Sequence, residues 1–487
     1  MLTRFLITMK HTLTLLTALL LTPLAALHAA EAPKPNIIVI LADDLGYGDV
    51  GCYGATKIKT PYIDRLAREG MKFTDAHTAA SFCSPSRYGL MTGRYPWRLH
   101  LQGNDYSLEP GRLTMAALLK AQGYRSAAIG KWHLGYSKDW NQPPITGPLE
   151  AGFDYHFGVP MNHNDHFRIF IENHDLVGRK PGEAFQPSKK GHLPQGIAQP
   201  RVEDQVDTTL TAKALGFIRQ NRDQPFFLYF TPCAPHTHVT PAAQFRGASQ
   251  CGLLGDYILE LDVHVGEILA LLDELKLSDQ TLIFFTSDNG GTPKDFKGTQ
   301  GTELNLASEA GGVREKARSA KADARAMGHI TNGPWHDGKA TPYEGGHRVP
   351  FIARWPGRIA PGSSSAHLLC LTDLLATAAE LADARLPENA GEDSFSFLPI
   401  LLGKPATAAQ RKHAFILGDT QGNAIAVRSG PWKLIETANS RKQKGHQLYD
   451  LTGDPGETND LAKSKPQIVQ ELAAALQEAR SDGRTRN

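Results

Sequence analysis

Four runs of apolar residues, each closed by a polar cluster, set the pattern of this chain: Asn36–Leu41 before Ala42-Asp43-Asp44, Ser126–Ile129 before Gly130-Lys131-Trp132-His133, Phe226–Phe230 before Pro235-His236-Thr237-His238, and Leu282–Phe285 before Ser287-Asp288-Asn289-Gly290-Gly291. Short continuous apolar runs are the composition of strands buried on both faces. Helical periodicity lies between them, as in Asp256 to Leu275, where Ile258, Leu261, Val265, Ile268 and Leu272 share one face. Strand–helix alternation predicts an α/β fold: a large, mostly parallel central sheet sandwiched by helices. Ligands of such sheets bind beyond the carboxyl ends of the strands, where all four polar clusters fall.

The C-terminal part has a different pattern. Short strands at Ala414–Gly418 and Ala424–Arg428 precede a helix from about Pro466 to Ala479. A smaller subdomain with a short antiparallel sheet and a packed helix is expected over 406–487, after a catalytic domain over 31–405. Asp450, Asp454 and Glu457 have the wrong spacing for a calcium loop and read as a turn. At the other end, Arg4 and Lys10 precede an apolar stretch, Leu13 to Leu27, with small residues at Ala29 and Ala30. Residues 1–30 therefore read as a signal peptide, and the protein as exported, periplasmic or secreted, with no retained membrane span.

The 52 basic and 50 acidic residues nearly cancel, so no global field argues for nucleic acid. Five cysteines, Cys52, Cys83, Cys233, Cys251 and Cys370, form neither a disulfide framework nor a zinc pattern, though one or two bridges are compatible with the count.

Cys83 opens the run Cys83-Ser84-Pro85-Ser86-Arg87-Tyr88-Gly89-Leu90-Met91-Thr92-Gly93-Arg94. Pro85 suits the first position of a helix, with Ser84 as its cap, placing Cys83 where helix N–H groups favour an anion. Arg87, one turn on, points back to the same spot and suits a tetrahedral oxyanion. Asp43, Asp44, Asp288 and Asn289 add hard oxygen ligands from two strand ends, a set for Ca2+ or Mg2+ rather than zinc.

The twelve-residue run resembles the signature of the formylglycine-dependent sulfatases, the type I sulfatases of the alkaline phosphatase superfamily. The resemblance implies that Cys83 is oxidised to an aldehyde by a formylglycine-generating enzyme and that the aldehyde hydrate is the nucleophile. It also implies one Ca2+ per chain, bound by Asp43, Asp44, residue 83, Asp288 and Asn289. Gly-Lys-Trp-His-Leu-Gly resembles a second motif of the family, in which Lys131 contacts the sulfate and His133 assists the hydrate. His236 resembles the histidine facing the leaving oxygen, and Lys339, before Pro342-Tyr343-Glu344-Gly345-Gly346-His347-Arg348, the last active-site lysine. Glu344 and Arg348 read as structural. The implied reaction releases sulfate from a sulfate ester. Loss of a proton from the second hydroxyl of the hydrate would expel sulfate from residue 83, a route that a serine or cysteine ester lacks.

The alternative on the same scaffold is a phosphodiester or phosphonate monoester hydrolase. A non-catalytic sugar-binding protein would be expected to lose Asp43, Arg87, Lys131 or His236, and all four are present. For substrate recognition the polar run Met161–Arg168 stands out, with Asn162, His163 and Arg168 as candidates beside Asn104, and His238 as a neighbour. An exported enzyme with such a rim suits a sulfated carbohydrate. The stretch Thr292 to Asn332 reads as an insertion with a solvated helix in its middle.

Overall fold

The computed structural model describes residues 34–99, 106–188, 193–292, 324–405, 411–420, 422–438 and 444–486. The signal-peptide segment, Asn104 and residues 293–323 of the insertion lie outside these.

The central sheet is built from β1 (Asn36–Ala42), β2 (Met71–Phe73), β4 (Arg125–Lys131), β5 (Tyr155–Val159), β6 (Ile171–Glu172), β7 (Asp175–Leu176), β8 (Phe226–Thr231), β9 (Thr281–Ser287), β10 (Phe351–Arg354) and β11 (Ser363–Ser365). Their order is β11-β2-β10-β9-β1-β8-β4-β5-β6-β7. Neighbours from β9 through β5 pair in parallel, while β10 runs antiparallel to β9 and β2. Successive side chains of a strand point to opposite faces. Ile37, Val39 and Leu41 accordingly enter one buried cluster with Phe227, Tyr229 and Phe284, while Ile38 and Ile40 enter another with Leu228, Phe230 and Phe285. Both faces are covered, so continuous apolar runs are what these strands require.

The helix Gly252–Glu274 buries Ile258, Leu261, Val265, Ile268 and Leu272, as the periodicity predicts. It begins four residues before the expected Asp256 because that carboxylate accepts from Gly247 and Ser249 N–H and braces the preceding turn instead. Among the described residues no helix is long and apolar enough to cross a membrane.

A two-residue strand β3 (Ala76–His77) pairs with β12 (Leu369–Cys370). Beyond it, β13 (Ala414–Leu417), β14 (Ala424–Ser429), β15 (Trp432–Ala438) and β16 (Lys444–Asp450) form a separate antiparallel sheet. The helix Pro466–Ser481 buries Leu472, Leu476 and Ala479 in one cluster with Val427 and Leu434 of this sheet. Asp454 accepts from Thr458 and Asn459 N–H, the turn expected there. The small sheet reaches toward the segment before Cys83: Ser81 N–H donates to Leu417 O at 2.9 Å, and Leu417 N–H to Ala79 O at 3.1 Å. All five cysteines are free thiols, so no disulfide restrains the fold.

Candidate active site

Parallel pairing of β1 with β9 sets Ala42 opposite Ser287, so the two acidic strand ends emerge side by side. Asp288 N–H donates to Ala42 O at 3.0 Å, and Asp43 N–H to Ala234 O at 3.1 Å, tying three strand ends together. Asp44 takes a left-handed backbone (φ 67°), a conformation aspartate tolerates better than most residues. Its N–H then meets Asp288 Oδ1 at 3.2 Å. Ser287 Oγ accepts from Leu45 N–H at 2.9 Å and donates to Asn289 O at 2.8 Å, which fixes the turn.

Cys83 is the first residue of the helix Cys83–Thr92. Pro85 is therefore its third residue, and Ser84 is not the cap. Phe82 occupies the cap position without a side-chain bond, and Ser84 Oγ donates to His133 O at 2.9 Å. Proline remains compatible there because first-turn N–H groups have no partner within the helix. The thiol lies 3.6 Å from Asp43 Oδ1, 3.9 Å from Asp44 Oδ1 and 3.2 Å from Lys339 Nζ.

Three carboxylates face three cations in this interior. Arg87 Nε and Nη2 lie 2.9 and 2.8 Å from Asp288 Oδ2, while its Nη1 donates to Lys131 O at 2.9 Å. Lys131 Nζ is 2.8 Å from both oxygens of Asp43, and Lys339 Nζ is 2.6 Å from Asp44 Oδ1. Buried charge is tolerated only with such partners. Burial, followed by the charge of Asp288, pushes the Cys83 thiol up to about 12. Burial, followed by the positive charge of Lys131, holds His133 well below the ordinary histidine range. His236 completes the wall, its Nε2 4.0 Å from Asp44 Oδ2 and its Nδ1 against Thr237 O.

The group fits a hard cation. Ligand atoms of Asp43, Asp44, Cys83 and His236 all lie within 4.8 Å of one another. Asn289 donates through Nδ2 to Asp44 Oδ1 at 2.8 Å, leaving its buried Oδ1 without a hydrogen-bond partner. An unsatisfied buried carbonyl oxygen beside carboxylates is a ligand for Ca2+ or Mg2+.

The family profile described as Sulfatase matches residues 35–384, and that of the N-sulphoglucosamine sulphohydrolase C-terminal region matches residues 332–482. The chain belongs to the sulfatase family. An N-acetylgalactosamine-6-O-sulfatase of Bacteroides thetaiotaomicron is 35% identical, over 93% of this chain and 94% of its own. Human steryl-sulfatase is 31% identical over 93% and 88% of the two chains. Among solved structures, a 6S-sulfatase described with glycosaminoglycan metabolism in B. thetaiotaomicron superimposes with a TM-score of 0.80 at 33% identity, covering 92% of this chain and all of that one. Ps i-CgsB in complex with k-i-k-neocarrahexaose gives 0.72 at 26% identity, over 92% and 93%. The protein is a sulfuric ester hydrolase, with the mixed central sheet and small antiparallel sheet of its relatives.

Beside the sulfatase cluster opens a cavity of about 610 Å3. Ser84 and His133 line it, as do Tyr136, Trp140, Met161 and Phe167. The polar residues expected to recognise substrate in the 161–168 run are not among its lining. His163 is fully buried with Nε2 2.6 Å from Thr240 Oγ1, and Asn162 gives its carbonyl to Arg201 Nη2 at 3.4 Å. Arg168 stands 4.0 Å from Glu203. His238 is buried and held down at about 4 by burial, then by Arg168 and Arg201. The physical reason is packing: Asp165 Oδ1 accepts from Phe167 and Arg168 N–H and shapes the loop, while His163, Asn162 and Arg168 turn to Thr240, Arg201 and Glu203. The loop's apolar members face the opening instead. Trp140 was missed by motif reading; a tryptophan in the polar, proline-rich run Lys138-Asp139-Trp140-Asn141-Gln142-Pro143-Pro144 was the available signal.

Proposed function

We propose that this sulfatase hydrolyses sulfate monoesters of carbohydrates, outside the cytoplasm, with residue 83 as formylglycine and one Ca2+ held by Asp43, Asp44, Asp288, Asn289 and residue 83. The observation carrying this reading is the convergence of Asp43, Asp44 and His236 on Cys83, with Asp288 and Asn289 against Asp44 and with Arg87, Lys131 and Lys339 paired to the carboxylates.

As the aldehyde hydrate, residue 83 supplies one hydroxyl for attack and a second for release of sulfate. When bound, Ca2+ offsets negative charge on the sulfate oxygens. The remaining work belongs to side chains. Lys131 and Lys339 offset the charge that repels an anion, and Arg87 fixes Asp288 so that the carboxylate keeps one orientation. His133, kept neutral by burial and Lys131, can accept a proton from residue 83. His236, 4.0 Å from Asp44, would protonate the departing alcohol, with Lys339 nearby. Relatives named N-acetylgalactosamine-6-sulfatase and a neighbour solved with k-i-k-neocarrahexaose support a sulfated sugar as substrate.

Sulfate release from a panel of sulfated mono- and oligosaccharides tests this reading against matched phosphate mono- and diesters. Sulfated sugars should react fastest. A clear preference for phosphodiesters would replace it with the phosphohydrolase reading, whose scaffold is shared by the phosphonate monoester hydrolase of Agrobacterium radiobacter (TM-score 0.61, 19% identity, 92% and 96% covered). Mass spectrometry of the peptide containing residue 83, from active protein, should show the aldehyde.

A further inference from the structure

The cavity beside residue 83 is built from two kinds of surface. One end belongs to the catalytic cluster, through Ser84 and His133. The rest joins an aromatic wall to polar groups of Ser107, Ser137 and Asn141; in the wall Trp140 lies 4.1 Å from Phe167 between ring centres, tilted by 35°, and 6.2 Å from Phe185, nearly parallel at 17°. These rings rest on a hydrophobic cluster of their own, with Ile145, Ile169 and Ile171, apart from the two that flank the central sheet. The wall is also pinned through its backbone. Trp140 Nε1 donates to Ser137 O at 2.7 Å, Arg179 Nη2 to Trp140 O at 2.8 Å, and Phe185 N–H to Asn141 Oδ1 at 2.6 Å. Met161, 40% exposed, forms the rim. Among the described residues the formally charged members of the lining are Lys138 and Asp139, adjacent and of opposite sign.

A rigid apolar wall with a few polar groups is the composition of a ligand pocket, and the volume lies inside the usual range of about 300–1,000 Å3. The C–H faces of a pyranose ring pack on such a wall while its hydroxyls reach polar groups at the edge. A carboxylate or second sulfate placed there would lose hydration and meet Lys138 only with Asp139 beside it. We propose that this cavity is a subsite for an uncharged sugar ring adjoining the sulfated one, with Trp140 and Phe167 as its stacking platform. The proposal rests on the reading of the protein as a carbohydrate sulfatase and adds to it the class of neighbour: a neutral hexose rather than a hexuronate.

The test measures kcat/KM for a sulfated monosaccharide and for two disaccharides carrying the same sulfate, one beside a neutral hexose and one beside a hexuronate. The wild-type protein should favour the neutral disaccharide. Trp140→Ala should lower the ratio of neutral disaccharide to monosaccharide by about tenfold, the scale of one lost stacking contact. Trp140→Phe should keep most of that ratio. Because Trp140 also packs on its neighbours, Met161→Ala serves as a second variant on an exposed position; loss of its apolar side chain should lower the same ratio without unfolding the chain. An unchanged ratio in both variants, or equal cleavage of the hexuronate disaccharide by wild type, overturns the subsite while leaving the carbohydrate reading intact. A wild-type protein active on aryl sulfates but on no sulfated sugar overturns the carbohydrate reading, and the subsite with it.

Discussion

At the ends of β1 and β9, Asp43, Asp44 and Asp288 meet Arg87, Lys131 and Lys339. Where the helix Glu344–His347 meets the small sheet, Glu344 and Glu457 meet Arg348, Arg428 and Lys433 in an interior just as deeply buried. Both groups contain residues spaced to hold a metal, and the second offers His77, Glu344 and His347. There the cation is a side chain: Lys433 Nζ lies 3.0 Å from His347 Nε2, 3.2 Å from Glu344 and 2.8 Å from Glu457. Burial works against the Glu344 charge, but Arg428, Lys433 and Arg348 outweigh it and hold the group well below the carboxylate range. Buried oxygens without a hydrogen bond occur in both groups, Asn289 Oδ1 in the first and Glu344 Oε1 and Glu457 Oε1 in the second, but the latter two lie 3.2 and 2.8 Å from Lys433 Nζ, and beside the first group Ser84 and His133 face a cavity. Opposed buried charges thus mark an interlock as readily as a site. The adjoining opening separates the two.

Substitutions at the two groups should therefore have different signatures. The largest effect belongs to Cys83→Ala, which should abolish turnover while leaving thermal unfolding nearly unchanged, since only a small side chain is lost. Asp288→Asn should come next, keeping the size of the side chain while removing a charge and one of the two acceptors that meet Asp44 N–H and Arg87. Elemental analysis should show loss of bound Ca2+ together with activity; stoichiometric zinc in the wild-type protein would break the assignment of metal.

Lys433→Met tests the other side of the comparison. It leaves two buried carboxylates short of a partner and should destabilise the protein by about 3–5 kcal/mol in urea titrations. Retained Ca2+ per folded chain would mark that group as an interlock, and loss of metal without loss of stability would contradict it.

The smallest effect concerns a third ionic group, away from both. His264 is raised to about 9, burial being outweighed by Glu260 and Glu267. A histidine raised on folding stabilises fully below its unfolded value of about 6.5 and loses that contribution as pH rises through its folded value. His264→Gln should thus be less stable than wild type at acid pH, and the gap in urea midpoints should close as pH rises through about 9. A gap independent of pH would show that packing, not charge, makes the difference.

Much of the fold was determined by the sequence alone, because its signals are local. The apolar runs Asn36–Leu41 and Leu282–Phe285 specify strands covered on both faces, and the polar residues that follow must emerge at their carboxyl ends. The motifs around Cys83, Lys131, His236, Asp288 and Lys339 resembled one family's, and the structure brings these residues together. Only the tertiary structure decided how neighbouring polar atoms divide their bonds. Ser84, a good cap by composition, gives its hydroxyl to His133 O, and His163 turns inward to Thr240. The aromatic wall was equally illegible, since Trp140, Phe167 and Phe185 come from separate loops and carry no shared period. Periodicity reports which face of an element is buried; which loops meet above the sheet depends on contacts between segments far apart in the chain, and no local pattern encodes those.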